Sequence, residues 1–96
     1  PQPRIVSAPD VLVRGETFSV VTDRANMASA VLVAPGATTH GNDMHQRAIR
    51  LAVQPLQTGL AATLPKSAAV VPPGHYMLFV MDGDGIPSVA KFVRVG

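Results

Sequence analysis

The sequence predicts an all-β sandwich of about seven short antiparallel strands, folded as a single domain over residues 1–96. Three observations carry that reading. Val, Ala and Leu dominate and are interrupted at short intervals by 9 prolines and 8 glycines, the punctuation of many short strands. The run Arg47-Ala48-Ile49-Arg50-Leu51-Ala52-Val53 alternates at period two, placing Ile49, Leu51 and Val53 on one face. No window of ten or more residues carries apolar positions at helical three-and-four spacing without a proline inside it.

The elements follow in chain order. Thr17 to Thr22, Ala28 to Ala34, the 47–53 run just described, and Gly59 to Leu64 each read as strands. His75-Tyr76-Met77-Leu78-Phe79-Val80-Met81 is apolar on both faces and reads as a central strand. Asp82-Gly83-Asp84-Gly85 follows, two Asp-Gly pairs that supply the positive φ angles of a hairpin turn, and Val89 to Val95 returns as the partner strand. Just before this hairpin stands Pro72-Pro73-Gly74-His75-Tyr76. Gly74 two residues ahead of Tyr76, at the entry to a late central strand, matches the tyrosine corner of immunoglobulin-like sandwiches. Tyr76 and Gly74 are therefore expected to be structural. A redox role for Tyr76 needs a metal or radical partner that its position does not suggest.

Composition removes several function classes. Eight basic and six acidic residues leave a formal charge of +2, and the basic residues are scattered. The aromatics Phe18, Tyr76, Phe79 and Phe92 are not interleaved with them, so the footprint of a nucleic-acid binder is missing. No apolar run approaches ~20 residues, so no membrane-spanning helix is expected. Without cysteine there is neither a disulfide nor a thiolate cluster. The chain begins at Pro1 and carries no targeting signal, which suggests a processed product or an excised piece of a larger protein.

Thr38-Thr39-His40-Gly41-Asn42-Asp43-Met44-His45-Gln46-Arg47 is the most polar stretch, and it holds two of the three histidines. His40, Asp43 and His45, with His75 as a further one, are the candidate metal ligands, since imidazole suits copper and zinc. His40 and His45 are five apart outside any regular element, so a self-contained metal site and a plain solvated loop both remain open. No serine lies in a nucleophile elbow, and the glycines form no phosphate loop. Asp82 and Asp84 fall short of the six to eight oxygens calcium takes. A lone sandwich of this kind reads as a binding or scaffolding module.

Two motifs add a resemblance. Pro72-Pro73-Gly74-His75-Tyr76-Met77-Leu78-Phe79-Val80, continued by Gly85-Ile86-Pro87-Ser88-Val89-Ala90, resembles the C-terminal domain of galactose oxidase and glyoxal oxidase-type copper radical oxidases. Ala34-Pro35-Gly36-Ala37-Thr38-Thr39-His40, then Gln46-Arg47 and Ile49, is similar to that family's P-G-x-x-T-H loop and the Q-R-x-I behind it. Together the similarity runs from Pro3 to Val95. It implies an immunoglobulin-like early-set sandwich that follows an N-terminal seven-bladed β-propeller in the same parent protein.

By the same resemblance His40 is a copper ligand, with Thr39, Asp43, His45, Gln46 and Arg47 as a supporting loop. The other ligands and the Tyr-Cys radical cofactor come from the propeller; no tightly bound cofactor is expected on this domain alone. The complete enzyme is expected to oxidise a small alcohol, aldehyde or carbohydrate with O2, releasing H2O2, outside the cell or at its surface. The chain departs from the family pattern at His45, where the family has Asp, and at Arg50, where it has Pro. The other reading is a non-catalytic accessory or carbohydrate-associated binding and scaffolding module of the same fold.

Overall fold

The computed structural model describes residues 2–34 and 48–96. Among these the chain forms nine strands and no helix: β1 (Ile5–Ser7), β2 (Val11–Leu12), β3 (Thr17–Thr22), β4 (Met27–Val33), β5 (Ala48–Arg50), β6 (Ala52–Leu56), β7 (Gly59–Thr63), β8 (Gly74–Asp82) and β9 (Lys91–Val95). They make two sheets, ordered β1-β3-β7-β6 and β2-β9-β8-β4-β5. The inward side chains of each sheet, led by Val20, Leu60, Leu32 and Leu78, meet in one core. This is the all-β sandwich read from the sequence.

The count rises from about seven to nine because the chain changes sheet twice. β1 runs antiparallel to β3, but β2 runs parallel to β9 in the other sheet. Between them lies Ala8-Pro9-Asp10, whose proline lacks the N–H a continuous strand needs. The Asp10 carbonyl then accepts from the Arg94 amide at 2.9 Å, which seats β2 against β9.

The second change corrects the strand expected over 47–53. β5 pairs with β4, whereas β6 pairs with β7 across the sandwich. Leu51 is the crossing residue: it is buried, and its amide donates to the Ala30 carbonyl at 3.0 Å. Period-two alternation cannot reveal such a switch. Both sheets turn their inner faces to the same core, so Ile49, Leu51 and Val53 stay inward while the backbone changes partners.

The β8–β9 hairpin is antiparallel, but its connection is longer than the expected turn. β9 starts at Lys91 rather than Val89, and of the two glycines only Gly85 has a positive φ, at 82°. Asp82 Oδ1 accepts from the Asp84 and Ile86 amides, each at 3.0 Å, and closes the turn. Ser88 then folds inward to 2% exposure. Its amide donates to the Val80 carbonyl at 2.7 Å, and its Oγ accepts from the Val80 amide at 3.1 Å. A side-chain oxygen thus completes what a regular ladder would do with backbone.

β8 is the middle strand of its sheet. Tyr76, Leu78 and Val80 point into the core, and Met77, Phe79 and Met81 lie half-buried on the opposite, outer face.

Candidate functional site

Of the residues singled out from the sequence, Thr39, His40, Asp43, His45, Gln46 and Arg47 lie outside the described residues. The structure does describe the frame that brackets them. Val33 pairs with Ala48, Leu32 with Ile49 and Val31 with Arg50. Residues 35–47 therefore connect two adjacent antiparallel strands, with both ends fixed in register at one end of the sandwich.

A cavity of about 330 Å³ opens at that same end. Ala34 and Ile49 border it from the β4–β5 stem, and Pro72, Pro73, Gly74, His75 and Tyr76 border it from the approach to β8. The Tyr76 hydroxyl donates to the Pro72 carbonyl at 2.5 Å, four residues back along the chain. Arg14 Nη1 reaches the neighbouring Val71 carbonyl at 2.9 Å. Burial pushes the Tyr76 hydroxyl pKa above its ordinary value, and the Arg14 charge pulls part of that rise back. Gly74 adopts φ 144°, in the region that favours glycine, where the chain turns from this corner into β8. These contacts fix the wall of the cavity. Sequence reasoning found Gly74 and Tyr76 but not the cavity, because Ala34 and Ile49 reach it only through the β4–β5 pairing.

His75 is exposed on the cavity rim. Among the described residues no three His, Cys, Asp or Glu side chains come together as a metal site. Tyr76 is engaged by Pro72, so among the described residues of the rim the exposed His75 imidazole is the one good copper donor. The described residues taken alone do not fit a copper ion. Asp82 is committed to its own turn, and Asp84 belongs to that turn at the far end of β8, so neither offers a calcium shell.

Residues 2–95 match the family model described as the galactose oxidase-like, early set domain. The chain belongs to this family. It is 29% identical to the aldehyde oxidase GLOX1 of Arabidopsis thaliana over 98% of the chain and 17% of that protein. It is 34% identical to the galactose oxidase of Gibberella zeae over 84% of the chain and 12% of that protein. Among solved structures, a fungal alcohol oxidase of the AA5 family in complex with copper superposes with a TM-score of 0.82. That match has 29% identity and covers 99% of this chain and 20% of that one. The chain thus spans a fifth or less of the relatives it matches. A Bacteroides ovatus glucan-utilisation protein shares the fold, with a TM-score of 0.62 at 20% identity.

The galactose oxidase-like domain reads differently from an isolated sandwich. Its Gly85-Ile86-Pro87-Ser88-Val89-Ala90 motif serves architecture, because Ser88 is the residue that knits this segment to Val80. The polar stretch around His40 lies in sequence between the two strands of this stem, and several of the matched relatives are oxidases by name.

Proposed function

We propose that this domain is the C-terminal part of a galactose or glyoxal oxidase-like copper radical oxidase, and that it lends one copper ligand, His40, to an active site carried by an N-terminal β-propeller. The observation that carries this reading is the family match over residues 2–95, in which the P-G-x-x-T-H sequence falls on the connection between β4 and β5.

His40 acts as a neutral imidazole that gives a ring nitrogen lone pair to the metal. Thr39, Asp43, His45, Gln46 and Arg47 shape the segment that presents it, and the β4–β5 stem fixes where that segment leaves the sandwich. Copper and a Tyr-Cys cofactor, held chiefly by the propeller with His40 as one ligand, would supply the two-electron oxidation of a primary alcohol or aldehyde coupled to reduction of O2 to H2O2. The substrate is a small alcohol, aldehyde or carbohydrate, and the parent works outside the cell or at its surface. The excised domain binds Cu(II) weakly, because one imidazole leaves most of a coordination shell to water.

The test is sequencing of the native protein upstream of Pro1, followed by His40→Ala in that protein. The expected parent holds a propeller with a second copper histidine and a Tyr/Cys pair, and the substitution removes bound copper and oxidase activity together. A parent without those residues, or full copper occupancy after His40→Ala, defeats the assignment. Binding of a glycan by the isolated domain, unchanged by His40→Ala, favours the accessory-module reading instead.

A further inference from the structure

The chain holds two Asp-Gly pairs, Asp82-Gly83 and Asp84-Gly85, and no Asn-Gly pair. An Asp-Gly bond is where a polypeptide most readily rearranges by itself, because glycine puts no side chain beside the amide nitrogen that attacks the carboxyl. Read as sequence, the two pairs are equivalent. The turn that leaves β8 makes them different. Asp82 Oδ1 accepts from the Asp84 and Ile86 amides, each at 3.0 Å, and the Gly83 amide donates to the Asn26 carbonyl at 3.0 Å. Both reacting groups of the first pair are therefore engaged, and these three bonds must open before the groups can meet. At the second pair the Gly85 amide donates to the Asp82 carbonyl at 3.0 Å, and that is the one bond in the way. The Asp84 carboxyl has no hydrogen-bond or ion-pair partner among the described residues. Asp84 and Gly85 are exposed, whereas Asp82 is half-buried. A Cβ placed on Gly85 meets nothing within 4 Å, so the space around this bond is open.

We propose that Asp84-Gly85 is a self-modification site that converts to isoaspartate in the folded protein, while Asp82-Gly83 is held unreactive by its own turn. The co-reactant is water. The Gly85 nitrogen attacks Cγ of the protonated Asp84 carboxyl. A C–N bond forms, the C–OH bond breaks, and the hydroxyl leaves with the amide proton as water, giving a succinimide ring. Water then reopens the ring. Opening at the Asp84 main-chain carbonyl leaves the chain running through Cβ and Cγ, so the backbone gains a methylene. The water lost in the first step is regained in the second, and neither mass nor oxidation state changes. The site stands at the Met27–Asp82 end of the β4–β8 pair, whereas the stem of residues 35–47 closes at the Val33–Met77 end. The inference is therefore independent of the function proposed above.

The parent protein is incubated for weeks at neutral pH, folded and in denaturant. The tryptic peptide that holds both pairs, Ser67–Lys91, is then fragmented along its backbone to locate isoaspartate. In the folded protein position 84 is expected to convert at least about tenfold faster than position 82, because more hydrogen bonds must open at 82. In denaturant the two rates should agree to within about threefold. A folded-state rate at 82 equal to that at 84 overturns the proposal. So does a silent position 84 in folded protein whose denatured form reacts. The same preference in both states overturns it too, since flanking sequence rather than the turn then sets the rates. Asp82→Asn and Asp84→Asn give a second and faster readout: an Asn-Gly pair closes the same ring with loss of ammonia, and hydrolysis raises the mass. Asp82→Asn retains an Oδ1 acceptor for the turn, so this variant should deamidate at least about tenfold more slowly than Asp84→Asn. Equal deamidation of the two folded variants defeats the assignment of Asp84.

Discussion

Replacing Tyr76 with Phe removes one oxygen from the core and leaves the ring in place. That oxygen donates to the Pro72 carbonyl at 2.5 Å in a part-buried setting, and the residue as a whole is 5% exposed. A neutral hydrogen bond contributes about 1 kcal/mol net, and a carbonyl stranded away from water costs about 1–3 kcal/mol. The site is only part-buried, so water reaches the carbonyl in part and the lower end of the range applies, about 1–2 kcal/mol. For a domain of this size each kcal/mol moves Tm by roughly 4–8 °C. The expected drop at pH 7 is therefore about 4–16 °C, measured by circular dichroism.

The alkaline limb gives an independent readout. Burial raises the Tyr76 pKa, so the folded state holds this proton more tightly than the unfolded chain does. Stability from the group is complete below about pH 10 and is lost as pH rises through the folded value. Tyr76→Phe lacks that component, so its stability should fall less steeply than that of the wild type above pH ~10. Tyr76 is the one tyrosine in the chain, and its phenolate absorbance follows the titration directly. A Tm within about 2 °C of wild type, or parallel alkaline slopes, would refute the account of the corner.

Four further outcomes are expected. Leu51→Ala should cost about 2–5 kcal/mol in chemical denaturation, because the inward side chain at the sheet crossing leaves a cavity. Leu51→Pro should cost more, since it also removes the amide that bonds Ala30. Gly59→Ala should fail to give soluble, two-state-folding protein: a Cβ there sits 1.9 Å from the Val20 carbonyl oxygen, at φ 137°. A soluble variant with an unchanged melt would contradict the β3–β7 register. Asp23→Asn should flatten the acid limb of stability. Hydrogen bonds from Arg24 and then from the Arg4 amide hold the Asp23 carboxyl below its ordinary 3.8, so its contribution is present above that value and lost as pH falls through the folded one. Denaturation midpoints of the two proteins at pH 6 and at about pH 3 check this, and identical acid slopes would count against it.

How much of this was legible in the sequence depends on the range of the interaction. The Asp82 turn and the Gly74–Tyr76 approach to β8 announce themselves because the contacts that make them, Asp82 to Ile86 and Tyr76 to Pro72, span only four residues. Ser88 appeared only as a letter in a motif; its reason is a bond to Val80 that depends on how far the turn extends. The crossing at Leu51 left no trace in the pattern, since inward alternation is the same in either sheet. β8 carried the opposite kind of signal. Its second apolar face was visible as a run without polar interruptions, but a chain read alone takes such a strand for an interior one, and only the sheet order shows that the face looks outward. As for the candidate site, the sequence named the residues of the 35–47 segment, and the structure supplies the stem, the cavity beside it and the fixed corner opposite.

The stem itself has a consequence for divergence. Val33 and Ala48 are held opposite each other by their neighbours in the ladder, whatever lies between them. The entropy of closing the connection is thus offset by the sandwich, and doubling the length of such a segment adds only about 0.6 kcal/mol. The segment that bears His40 can therefore gain, lose or exchange residues with little penalty to folding. Under the function proposed above, mutation in it is filtered by the copper site, while mutation at Leu51, Gly59 or Ser88 is filtered by whether the sandwich folds. A lineage built on this frame has room to vary one short stretch of chain while the sandwich around it stays the same.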